Sequence, residues 1–159
     1  MGKINIGRVI LGGLVAGIVV DILAYLVDGV VLANRWAAGM AALRKGMFTP
    51  GQIAWFNVLG IVTGVVAVWV YAAIRPRFGA GVKTAIYAAS AVWILGWLVP
   101  NAGLMYVPHL FSAHLTLYTT LGGIVEIVIG TIAGAALYKE VAVPVTTPLT
   151  GAPRQAVRA

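Results

Sequence analysis

A membrane-length apolar run with two acids inside it, RVILGGLVAGIVVDILAYLVDGVVLAN from Arg8 to Asn34, constrains this chain more than any other feature. Asp21 lies near its middle and Asp28 near its far end. An ionised Asp at the centre of a spanning helix costs about 2.5–3.5 kcal/mol on insertion scales, and such residues mark ion or proton pathways by default. The chain has four acidic residues, and a third, Glu126, sits at the middle of the last apolar run. Acids are scarce, and most are placed where charge is costly. That pattern excludes an ordinary soluble domain and directs attention to the interior of a membrane protein.

Composition agrees. Of 159 residues, 61% are hydrophobic and 9% charged, whereas soluble domains carry roughly a quarter charged residues. Four apolar runs, at about 8–34, 51–74, 81–99 and 113–138, are each long enough to cross a hydrocarbon core of about 30 Å. The expected fold is all-α, an integral membrane four-helix bundle. Residues 1–140 form one four-span domain, and 141–159, with Pro144, Pro148 and Pro153, a disordered cytoplasmic tail. The first run is too long for the apolar core of a signal peptide and is read as a retained helix. The absence of cysteine excludes disulfides, thiolate metal sites and Cys nucleophiles.

The net charge of +7 is distributed by side. Lys3, Arg8, Arg75, Arg77, Lys83, Lys139, Arg154 and Arg158 fall on one side of the four spans, and Arg35, Arg44 and Lys45 on the other. The excess predicts cytoplasmic N and C termini, with the bacterial inner membrane as the address. It leaves no basic folded face for nucleic acid.

Local signals set the expected boundaries. Thr49-Pro50-Gly51-Gln52 reads as a capping box with proline at the first helical position, and Ser112 as the cap of the last span. Arg75-Pro76-Arg77 is expected to stop the second span and Pro100 the third. Residues 100–112 then either dip back into the bilayer or continue as a kinked helix to Tyr106. Trp36, Met40, Leu43 and Met47 recur at helical spacing among Arg35, Arg44 and Lys45. They predict a short outer interfacial helix near 36–47.

The candidate site comes from spacing. Gly13, Gly17, Asp21, Tyr25 and Gly29 recur every four residues in the first span, and Gly122, Glu126, Gly130 and Gly134 do so in the last. Small residues at this spacing admit a neighbouring helix backbone, and Gly60 and Gly64 mark the same kind of face on the second span. First and last helices of an up-down bundle are antiparallel neighbours. Setting Asp21 opposite Glu126 brings Gly17 to Gly130, Gly13 to Gly134, Tyr25 to Gly122, Asp28 to Thr119 and Gly29 to Tyr118. Asp28, seven residues beyond Asp21, falls above it by about 10.5 Å. Two facing carboxyls without a Lys or Arg partner would share a proton, hold a cation, or relay protons outward through Asp28, flanked by Tyr25 and Thr119. The plain alternative is a carboxyl that hydrogen-bonds a neighbouring helix, worth about 0.6 kcal/mol.

His109 and His114 lack a third ligand for zinc and lie on one span, unlike cross-helix haem ligands; they read as interfacial residues. Ser90 and Ser112 have no adjacent base. No catalytic residue, metal site or cofactor is therefore expected, and the chain is not expected to be an enzyme. Ile4-Asn5-Ile6 leads into a Gly-rich first span, Trp36 follows it, Gly79 and Gly81 open the third span, and Glu126 is embedded in a glycine-striped last span. In this layout the chain resembles the small four-span bacterial membrane proteins grouped as domains of unknown function, over roughly residues 4–138. The resemblance implies no catalytic residues. Two functions are consistent with the sequence: a non-enzymatic assembly subunit, self-associating or joining a larger membrane complex in the lipid bilayer through its glycine faces, or a proton- or cation-coupled small transporter using the intramembrane acids.

Overall fold

The described residues form four helices long and apolar enough to cross a membrane and one short helix. The structure, a computed structural model, describes residues 3–106 and 110–141. The helices are α1 (Ile6–Val31), α2 (Ala33–Ala42), α3 (Pro50–Phe78), α4 (Val82–Met105) and α5 (Ala113–Leu137). Among the described residues there is no strand. His109 and the tail from residue 142 onward lie outside the described residues, and with them the expected disorder of the tail.

Helix starts follow the local chemistry. Asn5 Oδ1 accepts from the Arg8 amide, Thr49 and Gln52 form the reciprocal capping box, and Ser112 Oγ accepts from the Leu115 amide. Each satisfies amide donors that a helix cannot bond internally.

Two helix ends differ from expectation. α3 runs through Pro76 to Phe78, because a proline in the last turn forfeits a single ladder bond and Gly79, at φ 85°, supplies the stop. α4 runs past its expected end near residue 99, through Pro100 to Met105, as in the kinked-continuation alternative. A proline ring clashes with the carbonyl four residues earlier, here Gly96. That carbonyl lies in a π-helical stretch, Ile94–Leu98, whose wider turns accommodate the ring. α1 also ends in π-turns, over Tyr25–Val31. α2 is shorter than the expected helix near 36–47 and ends at Ala42.

α1 packs on α3 and α5, and α4 packs on the same two helices from the other side. α3 and α5 touch across the middle, and among the described residues α1 and α4 do not meet. The bundle is closed at the end that holds Asn5, Gly81 and Tyr138. Ala16, Ala67, Val68, Ala88 and Ile127 are fully buried there and towards the middle. Tyr138 Oη accepts from the Asn5 amide, Tyr71 Oη accepts from the Gly81 amide, and Arg75 pairs with Glu140 at 3.4 Å. At the α2 end the helices part, and residues 51–59 of α3 are all exposed.

Candidate functional site

The glycine stripes are occupied within the chain. α1 carries two adjacent small faces, Gly12/Ala16 and Gly13/Gly17, and each takes a different neighbour. A Cβ added at Gly12 would lie 2.6 Å from the Gly134 carbonyl oxygen, and one at Gly130 would lie 2.8 Å from the Ala16 carbonyl oxygen. Gly13 and Gly17 instead lie on Val65 and Ile61 of α3, with Gly64 seated against the backbone of Gly13 and Gly17. The α1–α5 pairing is thus antiparallel at the expected depth but one residue away from the expected register. One residue is about 100° of helix rotation, and that rotation decides where the first acid goes.

Asp21 follows Gly13 and Gly17 onto α3. Its carboxylate lies against Gly60, where any Cβ would overlap Oδ1. The expected partners of this face on α5 change accordingly. Gly122 receives Val27 instead of Tyr25. Tyr25 is 67% exposed and covers Gly29 of its own helix. Tyr118 sits beneath the Arg35 guanidinium, at 4.8 Å from its ring centroid, instead of meeting Gly29.

Asp28 takes the place expected of Asp21. The wider π-turns unwind α1 beyond Tyr25, so Asp28 no longer stands above Asp21. This part of α1 touches α2 and α5 but not α3. Trp36 Nε1 donates to Asp28 Oδ1 at 3.0 Å, and the indole is held edge-on by Phe48 and Phe111, at centroid distances of 5.7 and 5.4 Å. Sequence reasoning placed Trp36 at a membrane interface; its position one short turn after an intramembrane acid was the missed signal.

Glu126 is 2% exposed, the most enclosed acid of the chain, at the middle of α5. Its Oε1 has no hydrogen-bond partner and is directed back along the helix towards Gly122, that is, towards the α2 end. Val27, the residue before Asp28, packs on the same Gly122. A buried oxygen without a partner costs about 1–3 kcal/mol, so it calls for an explanation.

Around the α2 end of α5 lies a polar cluster that sequence reasoning recognised only at Thr119. Trp93 Nε1 donates to the Thr120 carbonyl and Asn101 Nδ2 to Thr120 Oγ1, both at 2.8 Å. Thr116, Thr119 and Thr120 each donate their hydroxyl proton to a carbonyl one turn earlier, leaving oxygen lone pairs available. Trp97 packs on Gly123. A cavity of about 60 Å³ lies here, lined by Trp36, Asn101, Leu104, Phe111, Leu115, Thr116 and Thr119. The cavity at the opposite end, about 120 Å³, is apolar except for the Tyr71 hydroxyl, which Gly81 already engages. His114 is exposed at the start of α5. Among the described residues no three of His, Cys, Asp and Glu come together.

No protein-family model, curated protein or solved structure matches this chain. The site is therefore interpreted from its own geometry.

Proposed function

We propose that this chain is a non-enzymatic, multi-pass protein of the bacterial inner membrane that binds and releases a proton or small cation at Glu126 and Asp28. Both termini lie in the cytoplasm in this reading, and α2 rests at the outer interface. One observation carries it: an almost fully buried glutamate in the most enclosed helix keeps an oxygen unbonded. A carboxyl retained for packing would be bonded to a neighbouring helix. Assembly through glycine faces loses the argument that favoured it, since Gly12, Gly13, Gly17, Gly64, Gly130 and Gly134 are occupied within one chain. An oligomer or larger complex would have to form through other faces.

The test is proton or cation flux in vesicles containing the purified protein and a trapped pH- or ion-sensitive dye. Wild type is expected to dissipate an imposed gradient faster than empty vesicles, Glu126→Gln to abolish the difference, and Asp28→Asn to reduce it. Equal rates for wild type and Glu126→Gln overturn the reading. Reporter fusions at residues 45, 79 and 105 are expected to read outside, inside and outside.

A further inference from the structure

The depth, direction and surroundings of Glu126 bear on what reaches it and from where. Thr116, Thr119, Gly123 and Glu126 follow one another at three- and four-residue steps, so they lie on one face of α5. The first two line the 60 Å³ cavity, Trp97 covers Gly123 between them and Glu126, and the unbonded Oε1 of Glu126 is turned to the same end of α5, against Gly122 beside Val27. Trp36 lines the same cavity and donates to Asp28. In the other direction the route is closed. Val20, Ala67, Ala89 and Ile127 form a cluster at most 3% exposed, and beyond it the helices meet through glycine backbone.

Resting on the site proposed above, we infer that its ligand is a proton, exchanged only with the α2 face of the molecule, through the Thr116–Thr119 cavity and by way of Asp28. The size of the cavity supports the ligand class. A space of about 60 Å³ corresponds to about two waters at roughly 30 Å³ each, too small for an organic solute. The donor set supports it further. Oε1 has no hydrogen-bond partner and the side chain beside it at Gly122 is the apolar Val27; among the described residues no three of His, Cys, Asp and Glu come together, so carboxylates do not assemble the six or more oxygens of a hard-cation site. A proton needs one oxygen. From α1 the acid next to this contact is Asp28, which follows Val27 in the chain, whereas Asp21 is turned onto Gly60 of α3. α3 has no ionisable residue between Pro50 and Val70, and α4 has none between Ala88 and Met105. The step is a simple transfer: a hydronium ion at the cavity mouth gives a proton to an Asp28 carboxylate oxygen and becomes water, and protonated Asp28 passes the proton through an intervening water to the Glu126 carboxylate at Oε1, returning to its own carboxylate form. No bond other than O–H forms or breaks, and no electron moves.

The absence of native cysteine makes the test direct. Single-cysteine variants Thr119→Cys, Asn101→Cys and Thr131→Cys are treated in vesicles with a membrane-impermeant thiol reagent from either side. Lys45→Cys and Arg77→Cys serve as references for the two faces. Thr119→Cys and Asn101→Cys are expected to react from the Lys45 face and at least tenfold more slowly from the Arg77 face, and Thr131→Cys, fully buried, from neither. A water-soluble carbodiimide is expected to modify Glu126 from the Lys45 face, and prior labelling of Thr119→Cys to protect it tenfold. Labelling of Thr119→Cys from the Arg77 face, no labelling from the Lys45 face, or no protection overturns the route. A lipid-soluble carbodiimide separates the two proposals. If it modifies Glu126 while the thiol results fail, the site stands and the route falls; if it leaves Glu126 unmodified, the site itself falls. Gradient decay driven equally by Na⁺ or K⁺ at constant pH overturns the proton as ligand.

Discussion

Replacing Glu126 by leucine tests, by the sign of its effect, whether the carboxyl supports the fold or burdens it. The side chain is 2% exposed and its Oε1 is unbonded. Leucine is larger by about one methylene, so no cavity follows, and any overpacking is a cost that works against the gain. What changes is the unpaired oxygen, whose burial costs about 1–3 kcal/mol. In a bilayer the separated helix also leaves this carboxyl poorly solvated, so only the lower part of that range is recovered on folding. Glu126→Leu is therefore expected to stabilise the bundle by about 1 kcal/mol while abolishing flux. A carboxyl acting as interhelical glue demands the opposite sign, a loss averaging about 0.6 kcal/mol. Equilibrium unfolding of the purified protein in mixed micelles, titrated with a denaturing detergent, resolves the difference. Trp93 and Trp97 pack against Thr120 and Gly123 and supply the fluorescence signal beside the site. A loss of 0.6 kcal/mol or more for Glu126→Leu refutes the reasoning.

The same unfolding assay covers two further predictions. Gly64→Ala, whose Cβ would fall on the backbone of Gly13 and Gly17, is expected to cost about 1–3 kcal/mol, while Gly103→Ala, with open space around it, is expected to gain up to about 1 kcal/mol in helix propensity; equal effects sink the close-packing argument. Trp36→Phe keeps an aromatic ring between Phe48 and Phe111 but removes the donor to Asp28, and is expected to cost about 1–3 kcal/mol, with little added loss when Asp28→Ala is already present.

The parts of the fold that depend on adjacent residues were legible in the chain. The caps at Thr49 and Ser112 need only a side-chain oxygen and an amide two or three residues on. The four spans need only length and apolarity. The prolines misled because their cost depends on context: Pro76 falls in a last turn, and Pro100 follows π-turns that no local pattern announces. The register was missed for a related reason. Gly12-Gly13 and Ala16-Gly17 give α1 two small faces side by side, and a match to the α5 glycines exists in either setting. Contact with α3, invisible in a comparison of two spans, selects between them. Glu126 was legible as a buried acid, but its neighbour was not, because Asp28 reaches α5 through turns that depart from ordinary helix geometry.

Those turns have a consequence for how the chain can vary. A π-turn holds one more residue than the α-turn it replaces, so the stretch Tyr25–Val31 behaves as a phase shifter spliced into an otherwise regular rod. Remove one residue from its far part, beyond Asp28, and α-geometry is restored, with Asp28 seven ordinary residues on from Asp21. The composition of the span hardly changes, yet Asp28 swings back into line with Asp21, and Glu126 is left without an acidic neighbour. A two-carboxylate arrangement and a one-carboxylate arrangement are thus separated by a single deletion, with every substitutable position left intact. Among chains of this architecture, the length of the first helix between its inner glycines and Trp36 then carries more information about the site than the identity of any one residue within it.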